Sequence, residues 1–307
     1  MRICIIGGTG HIGGMLVPLL RDAGHEISVV TRGKSSVPGG EVWKDVALLE
    51  GEYRRQDEEW HRFLREIHTD VMIDLLGVDF PAVYHELKDR AGHFVVCGSF
   101  WMYGPPQEVP TPEEMQNPCE FETYAIRYRE ILGIQNQADH DGVAFTAIMP
   151  SNICGPGKVP LEGRGGRDIE VHRAHRRGEP VLLPHGCNTL IAPCDVCDVA
   201  SAFLMAVENR GNAAGEIYNI GPPYAITIGK FIETYATIYQ TDIPVEYVGW
   251  ERFFTEVLPE PGANYHFRAH MAPDTGKIRE QLKFTPQYAP EESMQRAVEW
   301  MKAGALL

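Results

Sequence analysis

A run of glycines near the start of the chain has the spacing needed to approach a phosphate. Gly7-Gly8-Thr9-Gly10-His11-Ile12-Gly13 satisfies G-x-G-x-x-G at positions 8, 10 and 13, and G-x-x-G-x-x-G at 7, 10 and 13. Such positions permit a tight turn and let backbone N–H groups at a helix N-terminus reach a pyrophosphate. With 31 glycines in 307 residues the spacing also arises by chance, so its context must decide. Residues 3–6 read as a buried strand before it, and Met15, Leu16, Leu19 and Leu20 form one apolar helical stripe after it. That placement predicts a dinucleotide held by Gly7, Thr9, Gly10, His11, Ile12 and Gly13.

Where an NAD-selective site would place an acid on the adenosine ribose, the chain has Thr31-Arg32-Gly33-Lys34. A carboxylate would repel a 2′-phosphate, whereas Arg32 offers a charged donor and a plane for adenine, with Lys34 as a second cation. The expected cofactor is therefore NADP, with NAD as the alternative. Two solvated loop cations are the plainer reading. Cys194 and Cys197 form a lone C-x-x-C, a zinc or redox pattern on paper, yet no second pair supplies the four ligands of a structural zinc. No metal is expected.

Positioning these residues calls for alternating strands and helices. Runs at 3–6, 27–31, 71–76, 94–97 and 144–149, the last closed by Pro150, read as buried parallel strands separated by crossovers. After Pro150 glycine and proline punctuate a loop from Cys154 to Gly166, and helical patterns follow at 195–209, 228–239 and 290–302, with a strand at 216–220. The expected fold is α/β: a doubly wound, Rossmann-type parallel sheet with a smaller, partly discontinuous C-terminal lobe. The dinucleotide-binding core spans 1–150 and is completed by about 193–221; about 151–192 and 222–307 form the substrate lobe.

Composition narrows the class. Forty-four per cent apolar residues and no low-complexity run exclude a disordered or fibrous chain. With 28 basic against 42 acidic side chains the formal charge is −14, so little would neutralise many phosphates and no nucleic-acid partner is expected. Seven cysteines at no recurring spacing argue for a reducing compartment, and the first apolar run is too short for a membrane span. The expectation is a cytoplasmic protein with a small-molecule substrate and no membrane partner. A homodimer stays open.

Four further segments carry a resemblance. Gly98-Ser99-Phe100-Trp101-Met102-Tyr103-Gly104, with Tyr124 at a spacing of 25 from Ser99, resembles the Ser-to-Tyr arrangement of the extended short-chain dehydrogenase/reductase superfamily, the NAD-dependent epimerase/dehydratase group. Pro150-Ser151-Asn152-Ile153-Cys154-Gly155-Pro156-Gly157 is similar to its R-P-x-N-x-Y-G-P-G loop. Val196-Cys197-Asp198-Val199-Ala200 resembles its V-D-D-V-A helix start, and Gly215-Glu216-Ile217-Tyr218-Asn219-Ile220-Gly221 its G-E-x-Y-N-x-G strand. The resemblance implies that Ser99 and Tyr124 polarise the reacting oxygen. It also implies cofactor contacts from Leu75, Leu76 and Gly77 after the fourth strand, and from Pro150, Asn152 and Ile153.

The family's lysine four residues after the tyrosine lowers the phenol's pKa, and here Tyr128 stands at that position. Three readings follow. Arg127 supplies the cation from one position away; Tyr128 acts in the site and leaves Tyr124 a neutral acid; or turnover is lost and the protein binds cofactor in a regulatory role. Together with the glycine turn, this departure resembles the atypical, chloroplast stem-loop-binding-protein-like branch. The arginines that hold nucleotide diphosphate sugars are unmatched near Ile191 and near Glu260, which lowers the nucleotide-sugar epimerase or dehydratase reading, although Arg164, Arg167 and Arg268 are other sources of a guanidinium. The leading expectation is an NADP-binding oxidoreductase or isomerase acting on a small hydroxyl or carbonyl compound, a sugar derivative among the candidates. Gly163 to Gly166 is a candidate flap over the site.

Overall fold

The protein is described here by a computed structural model covering residues 1–33, 41–114, 117 and 119–307. Lys34 lies outside the described residues. The strands, in chain order, are β1 (Arg2–Ile6), β2 (Glu26–Thr31), β3 (Ala47–Glu50), β4 (Val71–Asp74), β5 (His93–Cys97) and β6 (Ala144–Pro150). They continue with β7 (Asn152–Cys154), β8 (Val181–Pro184), β9 (Leu190–Ile191), β10 (Pro193–Asp195), β11 (Glu216–Ile220), β12 (Ile226–Thr227) and β13 (Val245–Val248). Seven of them form one parallel sheet in the order β11-β6-β5-β4-β1-β2-β3. Ile3 pairs with Ile27 on one side and Val71 on the other, so the strand order reverses beside β1. In open α/β sheets that reversal leaves a crevice at the carboxyl ends of the strands.

Side-chain alternation builds the two layers. Cys4 and Ile6 face one way, among Leu64, Val83 and Leu87, while Ile3 and Ile5 face the other, among Leu16, Leu20 and Phe203. Helices α1 (His11–Asp22) and α6 (Val196–Glu208) cover the second face; α2 (Glu58–Glu66), α3 (Phe80–Leu87) and α4 (Glu122–Asp141) cover the first. Fully burying each large aliphatic side chain contributes about 1.5–3 kcal/mol. This is the α/β Rossmann-type architecture expected from the sequence. Helix α5 (Ile169–Arg176), the helices Ile228–Tyr239 and Pro290–Ala303, and the paired strands β8 with β13 and β9 with β12 form a third core around Phe231, Tyr235 and Met294.

Two local differences from the sequence reading have clear causes. The strand expected over 71–76 stops at Asp74, because its carboxylate accepts hydrogen bonds from Leu76 N and Gly77 N, both 2.9 Å, and turns the chain. Helices α2 and α3 were not read from the sequence. Their signals are Asp57, whose side chain accepts from Glu59 N and Trp60 N, and Asp79 with a proline in the first turn. Among the described residues no helix is long and apolar enough to cross a membrane.

Candidate active site

The glycine turn leaves β1 and opens α1. Gly7 has φ +83°, and a Cβ there would sit 2.9 Å from the Leu76 side chain. A Cβ on Gly13 would stand 2.3 Å from the Gly8 carbonyl oxygen, so helix and strand can meet this closely only without a side chain. Both sequence readings of the motif are thus used, Gly7 for the turn and Gly13 against Gly8 for the packing. Gly10 caps α1 without a side-chain hydrogen bond, and its own N–H donates to Gly7 O at 3.0 Å. The open first turn is suited to an anion.

Gly7, Gly10, His11, Ile12 and Gly13 line a cavity of about 600 Å³. Leu75, Leu76, Ser99 and Tyr124 join them from the sheet side, and Asn152 and Ile153 from β7. Ser99 also caps the short turn Phe100–Tyr103, its Oγ accepting from Trp101 N at 3.3 Å. Tyr124 lies in the first turns of α4 and packs on Trp101, with ring centroids 5.9 Å apart. Burial pushes its phenol up, against the nearby charge of Arg127, which pulls it down.

Tyr128 faces elsewhere. It is 3% exposed, meets Tyr103 edge-on at 5.5 Å and is absent from the cavity wall. One helical turn lets Tyr124 reach the cavity while Tyr128 enters the core between α4 and the sheet. Arg127 forms no hydrogen bond or ion pair with a described residue, but its charge also reaches the thiol of Cys97 and the carboxyl of Asp74, at the ends of β5 and β4. Asp74 is fully buried and accepts a 2.6 Å hydrogen bond from the Tyr53 hydroxyl, which in turn accepts from Asp79 N at 2.8 Å. Burial pushes the Asp74 carboxyl up.

A second cavity of about 410 Å³ adjoins the first through Gly7, Gly10 and Leu76, and is lined by Thr9, Arg32, Gly51 and Tyr53 as well. Arg32 is exposed and makes no ion pair with a described residue. It also lines a third cavity, of about 330 Å³, with Glu50, Glu52, Arg54 and Asp57, where Arg54 pairs with Glu52 at 2.7 Å. Gly77 and Pro150 lie outside all three walls: Gly77 turns the chain with φ +56°, and Pro150 ends β6. They stand behind the cavity-lining residues rather than among them.

The cavity is also lined by His266, Trp101 and Lys158, which were not among the site residues expected from the sequence. His266 is buried, its Nδ1 accepts from Asn152 Nδ2 at 3.3 Å, and burial pulls its imidazole down to about 3. His11 donates from Nε2 to Pro156 O at 2.9 Å, and burial pulls it down to about 4. Trp101 stands edge-on to His266 at 4.7 Å. Lys158 and Arg167 belong to the same lining. Of the three arginines considered from sequence, Arg167 alone lines the cavity; Arg164 is engaged by Glu162 and Asp168, and Arg268 by Glu120 at 3.0 Å.

Gly165 and Gly166 also line the cavity, within a turn held by the buried Glu162, whose carboxylate accepts from Gly166 N at 3.1 Å and from Arg164 N. Burial pushes Glu162 up to about 7. The C-x-x-C serves packing and an ion-pair network instead: Cys194 is buried, and Cys197 Sγ accepts from Arg296, which also pairs with Asp195 at 2.9 Å. Among the described residues no group of three or more His, Cys, Asp or Glu is arranged to hold a metal ion.

A model of the NAD dependent epimerase/dehydratase family matches residues 3–92 and 82–221. The chain belongs to this family. It is 27% identical over 238 residues to the chloroplast stem-loop binding protein of 41 kDa b from Arabidopsis thaliana, a match covering 74% of this chain and 60% of that relative's length. It is 20% identical over 329 residues to UDP-glucose 4-epimerase from Corynebacterium glutamicum, covering 94% and 92%. Among solved structures, UDP-glucose 4-epimerase from Thermotoga maritima superposes with a TM-score of 0.75 at 21% identity, covering 99% of this chain and all of that one. An NAD(P) cofactor is typical of the family, and the glycine turn fits one, since the first turn of α1 lines the cavity with no side-chain cap over it.

Proposed function

We propose that this protein is an NAD(P)-dependent oxidoreductase or isomerase that acts on a hydroxyl or carbonyl carbon of a sugar derivative. The observation that carries this reading is the convergence of the glycine cradle, Ser99 and Tyr124 on one cavity. The kinship with UDP-glucose 4-epimerases moves the substrate toward the nucleotide-sugar alternative and away from a small unactivated compound. Residues 1–150 with about 193–221 serve the cofactor, and 151–192 with 222–307 the substrate.

A bound nicotinamide supplies the hydride acceptor or donor. The chain's residues do the rest. Gly7, Gly10, His11, Ile12 and Gly13 hold the diphosphate against the N-terminus of α1, Thr9 and Arg32 border the adenosine end, and Asn152 and Ile153 flank the nicotinamide. Tyr124 moves the proton at the reacting oxygen and Ser99 Oγ hydrogen-bonds that oxygen. A buried phenol needs a cation to approach phenolate, and Arg127 supplies it in place of the family's lysine, while Tyr128 packs the core. Preference for NADP over NAD rests on Arg32; Glu50 and Glu52 beside it oppose a 2′-phosphate. No nucleic acid, metal or membrane partner is part of the proposal, and the compartment is the cytoplasm.

The test is a titration with NADH and NADPH followed by turnover assays with UDP-hexoses and simple carbonyl compounds. Cofactor binding with turnover that disappears in Tyr124→Phe is the expected result; turnover unchanged in that variant overturns the assignment. A second reading, a cofactor-loaded regulatory protein without turnover, draws on Tyr128 standing in the core. Tight cofactor binding with no turnover on any of these substrates favours it.

A further inference from the structure

Positive charge is concentrated on one wall of the cavity without a carboxylate to meet it. Arg167 donates to Val159 O and Ile153 O, both at 2.8 Å, which uses two of a guanidinium's five N–H donors and fixes its plane. It forms no ion pair within 4 Å among the described residues. Lys158, nine positions earlier, forms neither a hydrogen bond nor an ion pair with a described residue. Burial and then the charge of Arg167 pull Lys158 down, and the same two causes, with a smaller one from Lys158, pull down His11 at the start of α1, whose Nε2 donates to Pro156 O two positions before Lys158. Their neighbours outside the cavity are neutralised, Arg164 by Glu162 and Asp168, and Arg173 by Glu170. The acid on the cavity wall, Glu260, pairs with neither.

Two like charges on one cavity wall, the exposed Lys158 and the half-buried Arg167, repel each other beside a helix N-terminus, and an anion held between them relieves that repulsion. A guanidinium fork and an ammonium from separate positions suit an anion with several oxygens, as phosphate has. We propose that Lys158 and Arg167 form an anion subsite for a phosphate or diphosphate group, on the wall that faces the glycine turn. The subsite deepens the proposed function and rests on reading the cavity as a joint cofactor and substrate site. It replaces, from different positions, the guanidinium contacts that the chain lacks near Ile191 and Glu260.

The experiment is calorimetric titration of the full chain with inorganic pyrophosphate, first without cofactor and then saturated with NADPH. Wild-type protein is expected to bind pyrophosphate with an affinity that falls as salt rises. Lys158→Met, which removes no hydrogen bond, should weaken it about tenfold, and Arg167→Lys should weaken it while keeping the charge. Binding retained in the NADPH-saturated chain assigns the subsite to a substrate phosphate. Binding abolished by NADPH, together with weaker NADPH affinity in Lys158→Met, assigns it to the cofactor's own diphosphate. Equal pyrophosphate and NADPH affinities in wild type and both variants overturn the subsite. A chain that binds pyrophosphate through Lys158 and binds neither NADH nor NADPH keeps the subsite and overturns the function proposed above.

Discussion

The glycine turn and the first two turns of α4 face the same cavity but encode it differently. At the turn the fit is made by the backbone: Gly13 can lie against Gly8 only because neither carries a side chain, and Gly7 needs its positive φ. On α4 the fit is made by side-chain position, and one turn along the helix decides between cavity and core. Tyr124 lines the cavity, Arg127 stands near the ends of β4 and β5, and Tyr128 packs on Tyr103. A motif that acts through absent side chains tolerates no substitution, whereas one that acts through position can shift its cation by a residue.

That contrast breaks most readily at Gly13. Gly13→Val should cost more than about 3 kcal/mol and abolish cofactor binding, read by thermal unfolding and NADPH titration, because the clash is with backbone that cannot move aside. Wild-type cofactor affinity in this variant would contradict the cradle. Next in size, Tyr124→Phe should lower turnover about 10²–10⁴-fold and leave cofactor affinity within about twofold, the signature of a lost proton-transfer group.

Arg127→Met should have a smaller effect with a distinct signature. Arg127 holds the Tyr124 phenol down against burial, so removing it raises the pKa and moves the alkaline-rising limb of the rate profile to higher pH. Tyr128→Phe should leave that limb in place; a shift there, with none in Arg127→Met, would return the site to Tyr128. Smallest is Arg32→Ala, expected to reduce the preference for NADPH over NADH about tenfold in a fluorescence titration, with affinity for NADH unchanged. Equal loss for both cofactors would tie Arg32 to adenine instead of the 2′-phosphate.

The limits of the sequence follow the same division. Strand β1, the turn and α1 were readable because local hydrophobic period and glycine spacing describe contacts between near neighbours. The strand expected to run to Leu76 overshot, since the apolar pattern continues while the Asp74 carboxylate turns the chain through Leu76 N and Gly77 N. Lys158 carried no local signal at all. Arg167 was one of three equivalent arginines until Glu162, Asp168 and Glu120 neutralised the other two.

By itself the sequence determined a parallel α/β sheet, the glycine turn that joins β1 to α1 and the residue types around it, because these depend on periodicity and on conformations open to glycine alone. The tertiary structure decided which side chains meet. It set Tyr128 in the core and Tyr124 on the cavity, and it brought Lys158, Arg167 and His266 to one cavity with a glycine turn more than 140 residues earlier in the chain. Position along the helix and packing across the sheet fix those contacts, and neither is written in the spacing of a motif.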